Sequence, residues 1–332
     1  MVFLDVEKQR QLGYKIHDML EYKSYPRKNI GYLYAIQHGA KIIYETDDDN
    51  SPSNGKIEFD QHTGMEYYVY DDVKSTVVNP FAHFGQNTIW PRGYPLDKIS
   101  EPVPRSFRKC KNMNALVQQG VVDGDPDVDA IFRLTRKDAG VNLHVTFDKT
   151  APPVLLPRGV MTPYNTQNTL HLYDAFWGLV MSKSLTFRVV DIWRGFWAQR
   201  LMWEIGSFLA IFPPNAVQFR NPHSFLSDFI EEKHLYHLSS DYVEFLAKWK
   251  TTKTNFLDMI LELSWDMVDK GFWHYDDAIV VQYWLEDLLA IGYKPPALKK
   301  ATGTCDSPVV MFTPKEQPSS FLRLGKNNKN IL

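Results

Sequence analysis

Three aspartates stand together at positions 47 to 49, after the run Lys41–Thr46 and ahead of a loop of Ser, Pro, Asn and Gly. Adjacent carboxylates repel one another, so the cluster needs water or a cation. Hard divalent cations take carboxylate oxygens and bridge to diphosphate oxygens, which would make Asp47 and Asp49 ligands of Mn2+ or Mg2+ with Asp48 beside them. The plainer alternative is a solvated acidic turn. A calcium loop of the EF-hand type is excluded: Glu58 has the spacing of its last ligand, but Pro52 stands where glycine is required.

Other residues could act with this cluster. Arg27 and Lys28 open the segment before it, and a helix start carrying cations suits a phosphate; a solvated pair is the bland reading. Arg92 sits in "WPRGYP", boxed by two prolines, a glycine and two aromatics, a stiff loop of the kind that pre-positions a charge. An arginine bonding loop carbonyls would look the same. Asp191 opens the segment "VDIWRGFWAQRLMWEI", where it either complements a helix dipole or serves as a general base or sugar-hydroxyl ligand. His38, His83, His171 and His223 stand singly, as structural histidines do. Walker A, G-x-G-x-x-G and G-x-S-x-G motifs are absent, so those nucleotide and nucleophile chemistries have no support.

The elements that must position these residues follow from periodicity. Val2 to Val6 reads as a short strand, Glu7 to Gly13 as a short helix, and "YKIHDML" as a second strand. Ile30, Leu33, Tyr34 and Ile36 have helical spacing between Pro26 and Gly39. "KIIYET" follows as a buried strand. This alternation argues for a doubly wound sheet, in which ligands bind beyond the carboxyl ends of strands. Residues 51 to 127 read as irregular. "PDVDAIFRLTRKDAG" and "LHVTFD" carry strand signals, and "PPVLLPRGVMTPYNTQNTLHLYDAFWGLV" reads as strand, loop, strand. Val190 to Ile205 predicts an amphipathic helix with Trp193, Phe196, Trp197, Leu201 and Ile205 on one face and Asp191 and Arg194 off it. About three more helices fill 228 to 293. The segment from Ala297, with six Lys/Arg against two acids, reads as a loose tail. Three units are expected: 1–227, 228–296 and 297–332.

The bulk numbers bound the class. With 332 residues, 44% apolar and 23% charged, the chain can bury a large core. A net charge of −2 with no basic stripe gives nucleic-acid binding no electrostatic support. Two cysteines, Cys110 and Cys305, exclude a structural cysteine zinc site and leave one disulfide open. There is no N-x-Ser/Thr sequon, no run long enough to span a bilayer, and no signal peptide at "MVFLDVEKQRQLG".

"YPRKNIGYLYAIQHGAKIIYETDDDN", "VVNPFAHFGQNTIWPRGYPL", "LVQQGVVDGDPDVDAIFRLTRK", "LPRGVMTPYNTQNTLHLYDAFWGL", "DIWRGFWAQRLMWEIG" and "GFWHYDDAIVVQYWLEDLLAIGY" together resemble the STELLO glycosyltransferase-like family, in order, from Val2 to about Leu298. More remotely, Asp47 to Asp49, Arg92-Gly93-Tyr94-Pro95, and Asp191 with Trp193 and Gly195 are similar to motifs of the reversibly glycosylated polypeptides, the plant UDP-arabinopyranose mutases.

The resemblance implies a GT-A-like α/β fold with a C-terminal helical extension. It also implies a divalent ion on Asp47 and Asp49 under the diphosphate of a nucleotide sugar, UDP-linked. Arg27 or Lys28 would assist at phosphate and Asp191 would engage the sugar. The mutases add self-glycosylation at the arginine matching Arg92. By family the protein would reside in the Golgi, acting on a glycan or protein acceptor beside a polysaccharide synthase complex; without that anchor, cytoplasmic. The family's membrane anchor and the first GT-A strands would precede Met1, so an N-terminally incomplete sheet is expected. If base binding is lost with them, the protein would be a non-catalytic scaffold.

Overall fold

The computed structural model describes residues 2–53, 55–60, 64–135, 143–221 and 224–317. Among them, nine strands form one mixed sheet in the order β1-β7-β5-β8-β6-β3-β4-β9, with β2 pairing on β8. The centre is β5 (Val117–Gly124) lying parallel to β8 (Leu209–Gln218). β7 (Thr169–Leu172) runs antiparallel to β5, and β1 (Ile42–Glu45) antiparallel to β7. Two reversals make β1, β5 and β8 point the same way, so their carboxyl ends share one edge of the sheet.

The other half runs through β6 (Val154–Leu155), β3 (Glu66–Tyr70), β4 (Ser106–Lys111) and β9 (Val310–Met311). Here only β3 and β6 are parallel. The stretch 51 to 127, read as irregular, therefore holds β3, β4 and β5, as well as the short helices α3 (Pro80–His83) and a 3-10 turn at Leu96–Lys98. Its prolines and glycines punctuate the strands rather than replace them. β2 (Asn50–Pro52) folds the loop after the aspartates back onto β8 at Ala216 to Gln218.

The first residues differ from expectation. Residues 2 to 5 form no strand; Asp5 accepts from the Lys8 amide (2.8 Å) and caps α1 (Val6–Gln11). "YKIHDML" is a 3-10 helix at Lys15–Met19 rather than a strand, because both oxygens of Asp287 accept its amides, from Lys15 (2.9 Å) and Ile16 (3.0 Å). "PDVDAIFRL" likewise yields a helix, α4 (Ala130–Leu134), capped by Asp129. The helix between Pro26 and Gly39 is present as α2 (Lys28–Gln37).

α5 (Val190–Met202) is the axis of the core, and it is not amphipathic: all thirteen residues are buried. Its apolar side carries Trp193, stacked on Tyr242 at 4.6 Å, and Trp197 against Trp177 and Trp273. The polar side is buried too, and Asp191, Arg194, Gln199 and Arg200 each have at least one partner there. Gln199 holds both the amide and the carbonyl of Thr162, and Arg200 reaches Glu204 at 2.6 Å. Gly195 has a packing reason, since a Cβ there would come within 2.6 Å of the Tyr164 carbonyl oxygen. After α5 come α6 (Phe225–Glu231), which begins ahead of the helical stretch expected from 228, and then the three helices expected there, α7 (Lys233–Lys248), α8 (Phe256–Asp269) and α9 (Tyr275–Ala290).

The tail is tied down as far as Gln317. β9 pairs with β4, Thr304 bridges Lys111, and Cys305 forms a disulfide with Cys110 of β4. Polar composition misled because these contacts are long-range and backbone-mediated. The cross-link closes a separation of 195 residues, and native disulfides contribute about 2–5 kcal/mol. Cys305→Ser is expected to lower thermal stability by an amount in that range, measured by denaturation with and without reductant. A wild type that responds to reductant while Cys305→Ser does not confirms the bond; equal responses refute it.

Candidate active site

Beyond the carboxyl ends of β1, β5 and β8 lies a cavity of about 330 Å³. β1 delivers Asp47, Asp48 and Asp49; the loop after β5 delivers Asp127; and Arg220 follows β8. The segment before β7 adds Asn165, Thr166 and Gln167, and the start of α5 adds Phe187, Arg188 and Asp191, with Arg92 behind them. Convergence at the ends of co-directed strands is where α/β sheets place ligands.

The floor is an ion cluster. Arg92 donates from Nε to both Asp127 oxygens (3.0 Å each) and from its terminal nitrogens to Asp191 (2.9 and 3.1 Å) and the Arg188 carbonyl. A planar guanidinium serves two carboxylates this way where a lysine could not. The Arg92 amide also donates to the Asp127 carbonyl at 2.9 Å. Gly93 lets the loop approach α5: its φ is +84°, and a Cβ there would meet Ile192 at 2.3 Å. Burial alone would push Asp127 up, but Arg92 and Arg188 outweigh it and hold its carboxyl well below the usual range. Arg188 is itself anchored on Glu232 at 2.7 and 2.9 Å.

Asp49 accepts from Gln218 Nε2 (3.1 and 3.2 Å) and weakly from the Asn221 amide (3.4 Å), which pins the acidic turn across the end of β8. No hydrogen bond to the Asp47 carboxylate is present among the described residues. Burial pushes its pKa up to about 6, and the charges of Asp127, Asp191 and Asp49 push the same way, opposed by Lys28. The cavity wall carries five carboxylates, Asp47, Asp48, Asp49, Asp127 and Asp191, against three guanidiniums, Arg92, Arg188 and Arg220. Since Asp127 and Asp191 are paired, the uncompensated negative charge sits on the triplet.

This donor set suits a hard divalent cation that keeps open positions. Among the described residues no group of three or more His, Cys, Asp or Glu side chains could enclose a metal. Two carboxylates, with the remaining positions left to water and phosphate oxygens, is the magnesium-type arrangement.

The predicted residues are thus partly brought together. Asp47, Asp48, Asp49, Arg92 and Asp191 line one cavity, with Lys28 nearby, its Nζ 4.0 Å from Glu45 and 3.4 Å from the Tyr25 hydroxyl. Arg27 is elsewhere: it donates to Gln9 and the Leu20 carbonyl and lies over Tyr22. His83 and His171 are structural, on the Pro152 carbonyl and Glu45 respectively, and His223 lies outside the described residues. Asp127, Arg188, Arg220 and Asn165 escaped the sequence reading. The alternation Asp123, Asp125, Asp127, Asp129 closing an apolar run was the available signal.

An α/β sheet of this kind with an acidic turn at a co-directed strand end is a GT-A-like arrangement. Residues 188–308 match the profile of the STELLO glycosyltransferases. The chain is 39% identical over 308 residues to the Arabidopsis thaliana protein named "Probable glycosyltransferase STELLO1", and 38% identical to "Probable glycosyltransferase STELLO2" of the same plant. Each match covers 90% of this chain and 40% of the relative's length. By sequence the chain is similar to the STELLO glycosyltransferases.

Removing Arg92 leaves Asp127 and Asp191 buried and facing each other. Arg92→Leu is expected to cost about 3–5 kcal/mol, the usual penalty for breaking a buried pair. The folded Asp127 carboxyl titrates below its unfolded value, so its contribution is present above about pH 4 and lost as pH falls further. Thermal denaturation should therefore show a lower Tm at pH 7 and a flatter fall between about pH 4 and 2 in the variant. Unchanged stability at pH 7 would remove this cluster from its central place.

Proposed function

We propose that the cavity is the donor site of a metal-dependent glycosyltransferase using a nucleotide sugar, UDP-linked. The observation that carries this reading is the uncompensated charge of Asp47 to Asp49 at the carboxyl edge of β1, β5 and β8. Asp47 and Asp49 would hold Mn2+ or Mg2+, and the ion would neutralise charge developing on a leaving diphosphate. Asp48, exposed at the rim, would add to the field that attracts the ion.

The chain's own groups perform the rest. Arg92 holds Asp191 by both oxygens, so Asp191 presents a fixed carboxylate to a sugar hydroxyl rather than a freely rotating one. With both oxygens of Asp191 held by a guanidinium, hydroxyl binding is favoured over proton abstraction. Arg92 is only 5% exposed and committed to two carboxylates, which supports a positioning role for it over service as the sugar acceptor. Tyr25 and Phe187 pack edge to face at 4.7 Å on the cavity wall, an apolar surface for a sugar ring or base. In this reading Lys28 moderates the field at Asp47, and Arg27 braces α1 against α2. Golgi residence, the acceptor, and action beside a polysaccharide synthase complex belong to the same reading by way of the family resemblance; no helix among the described residues is long and apolar enough to cross a membrane.

Titrating UDP calorimetrically into the protein with and without Mn2+ tests the site. Binding is expected to need Mn2+ and to be lost in Asp47→Ala and Asp49→Ala. Because the Asp47 carboxyl is pushed up to about 6, protons compete with the ion, so Mn2+ affinity should fall as pH drops below that value. Manganese-independent UDP binding that survives both substitutions would end the metal assignment.

A further inference from the structure

Among the described residues, one guanidinium on the cavity wall has no hydrogen-bonded partner and only a long contact to a carboxylate. Arg220 follows β8 by two residues; its side chain is 5% exposed, and none of its nitrogens hydrogen-bonds to another described residue. Nε is enclosed and unpartnered. The nearest carboxylate oxygen, Asp228 Oδ2, is 3.9 Å away, beyond hydrogen-bond range. Its neighbours make matters worse. Arg133 and Arg188 add positive charge, and their own partners are engaged, Asp125 by Arg133 and Glu232 by Arg188. Burial first, then these two cations, push Arg220 down to about 10 against the weaker pull of Asp127 and Asp125.

A desolvated guanidinium with unused donors is costly, and proteins keep such groups where a ligand completes them. Arg220 shares its cavity with the aspartate triplet. The site therefore offers cation-binding oxygens and anion-binding nitrogens to one ligand. We infer that Arg220 binds an oxyanion of the ligand directly, as a binding residue separate from the metal site. Two sources carry that chemistry, a phosphate of the donor or a carboxylate on its sugar. The inference rests on the nucleotide-sugar reading only for the name of the ligand, not for the anion.

The test titrates pyrophosphate, UDP, UDP-glucose and UDP-glucuronate, each with Mn2+, into wild type, Arg220→Gln and Arg220→Lys. Charged hydrogen bonds of this kind are worth about tenfold or more in affinity. If phosphate is the source, Arg220→Gln weakens pyrophosphate, UDP and both sugar nucleotides by about that factor, and lysine restores part of it. If carboxylate is the source, only UDP-glucuronate loses affinity. The Tm of the free protein supplies a second readout: Arg220→Gln should raise it, because a desolvated charge without a hydrogen-bonded partner is removed, whereas a structural arginine would lower it. Wild-type affinities retained within about twofold by Arg220→Gln for all four ligands would overturn the inference and leave the donor-site reading standing. Pyrophosphate binding that depends on Arg220, with no UDP binding, would do the reverse. Binding of none of the four by wild type would overturn both.

Discussion

Everything at this site depends on one guanidinium held between two carboxylates from different parts of the chain. Asp127 comes from the loop after β5, Asp191 from the first turn of α5, and Arg92 from a loop with no regular structure of its own. The pair distances of 2.8 and 2.9 Å lock sheet edge, central helix and loop into one body. Buried charges of this density are affordable only when each is matched. The matching continues outward, from Asp127 to Arg188 and from Arg188 to Glu232, which also accepts from the Ala130 amide at 2.8 Å and from Tyr236. The chain of pairs ends at the junction of α6 and α7, so the C-terminal helices are coupled to the cavity floor through charge as well as through apolar packing.

A second buried network sets the other wall. Glu45, the last residue of β1, receives Arg194 from α5 (2.7 Å), His171 from β7 (2.7 Å) and the Tyr32 hydroxyl from α2. Burial would raise the Glu45 carboxyl, but Arg194 and His171 hold it well below the usual range. Asp47 lies two residues further on, so the strand end that aims the acidic turn is fixed from three directions. α5 thus serves both walls from one polar stripe, Asp191 to Arg92 and Arg194 to Glu45. This explains why its helical character rests on tertiary burial: with no side-chain cap at its start, packing and ion pairing do what local signals do not.

That arrangement also marks what the sequence could and could not reveal. Apolar spacing located α2, β1 and α5, and the acidic turn was correctly placed at a strand end. Arg92-Gly93-Tyr94-Pro95 and Asp191 stood out through local stiffness and position, and they meet in space. The amphipathic expectation for α5 failed because a polar residue facing a buried partner is indistinguishable, in sequence, from one facing water. Arg27 and Lys28 look like a pair in sequence, yet a helix start turns consecutive side chains about 100° apart, and only Lys28 lies near the site. β3, β4 and β5 were hidden by prolines and glycines in the connections between them. The fastening of Cys305 to Cys110 depends on contacts 195 residues apart, which no local window contains.

The charges left unmatched are as informative as those matched. Asp47 and Arg220 carry opposite signs on the wall of one cavity, and neither side chain hydrogen-bonds to a described residue. Each lowers the stability of the empty protein, Asp47 through its raised pKa and Arg220 through its lowered one. They do not neutralise each other: among the described residues no ion pair joins Asp47 to Arg220, and Asp49 is held by Gln218 and the Asn221 amide, which flank Arg220 in sequence. Folding alone would favour collapsing the two signs into a salt bridge. Holding them apart conserves a field across the cavity, and a ligand carrying a cation and an anion together relieves both at once. A metal-bound diphosphate has that charge pattern, and a single ion or a neutral sugar does not.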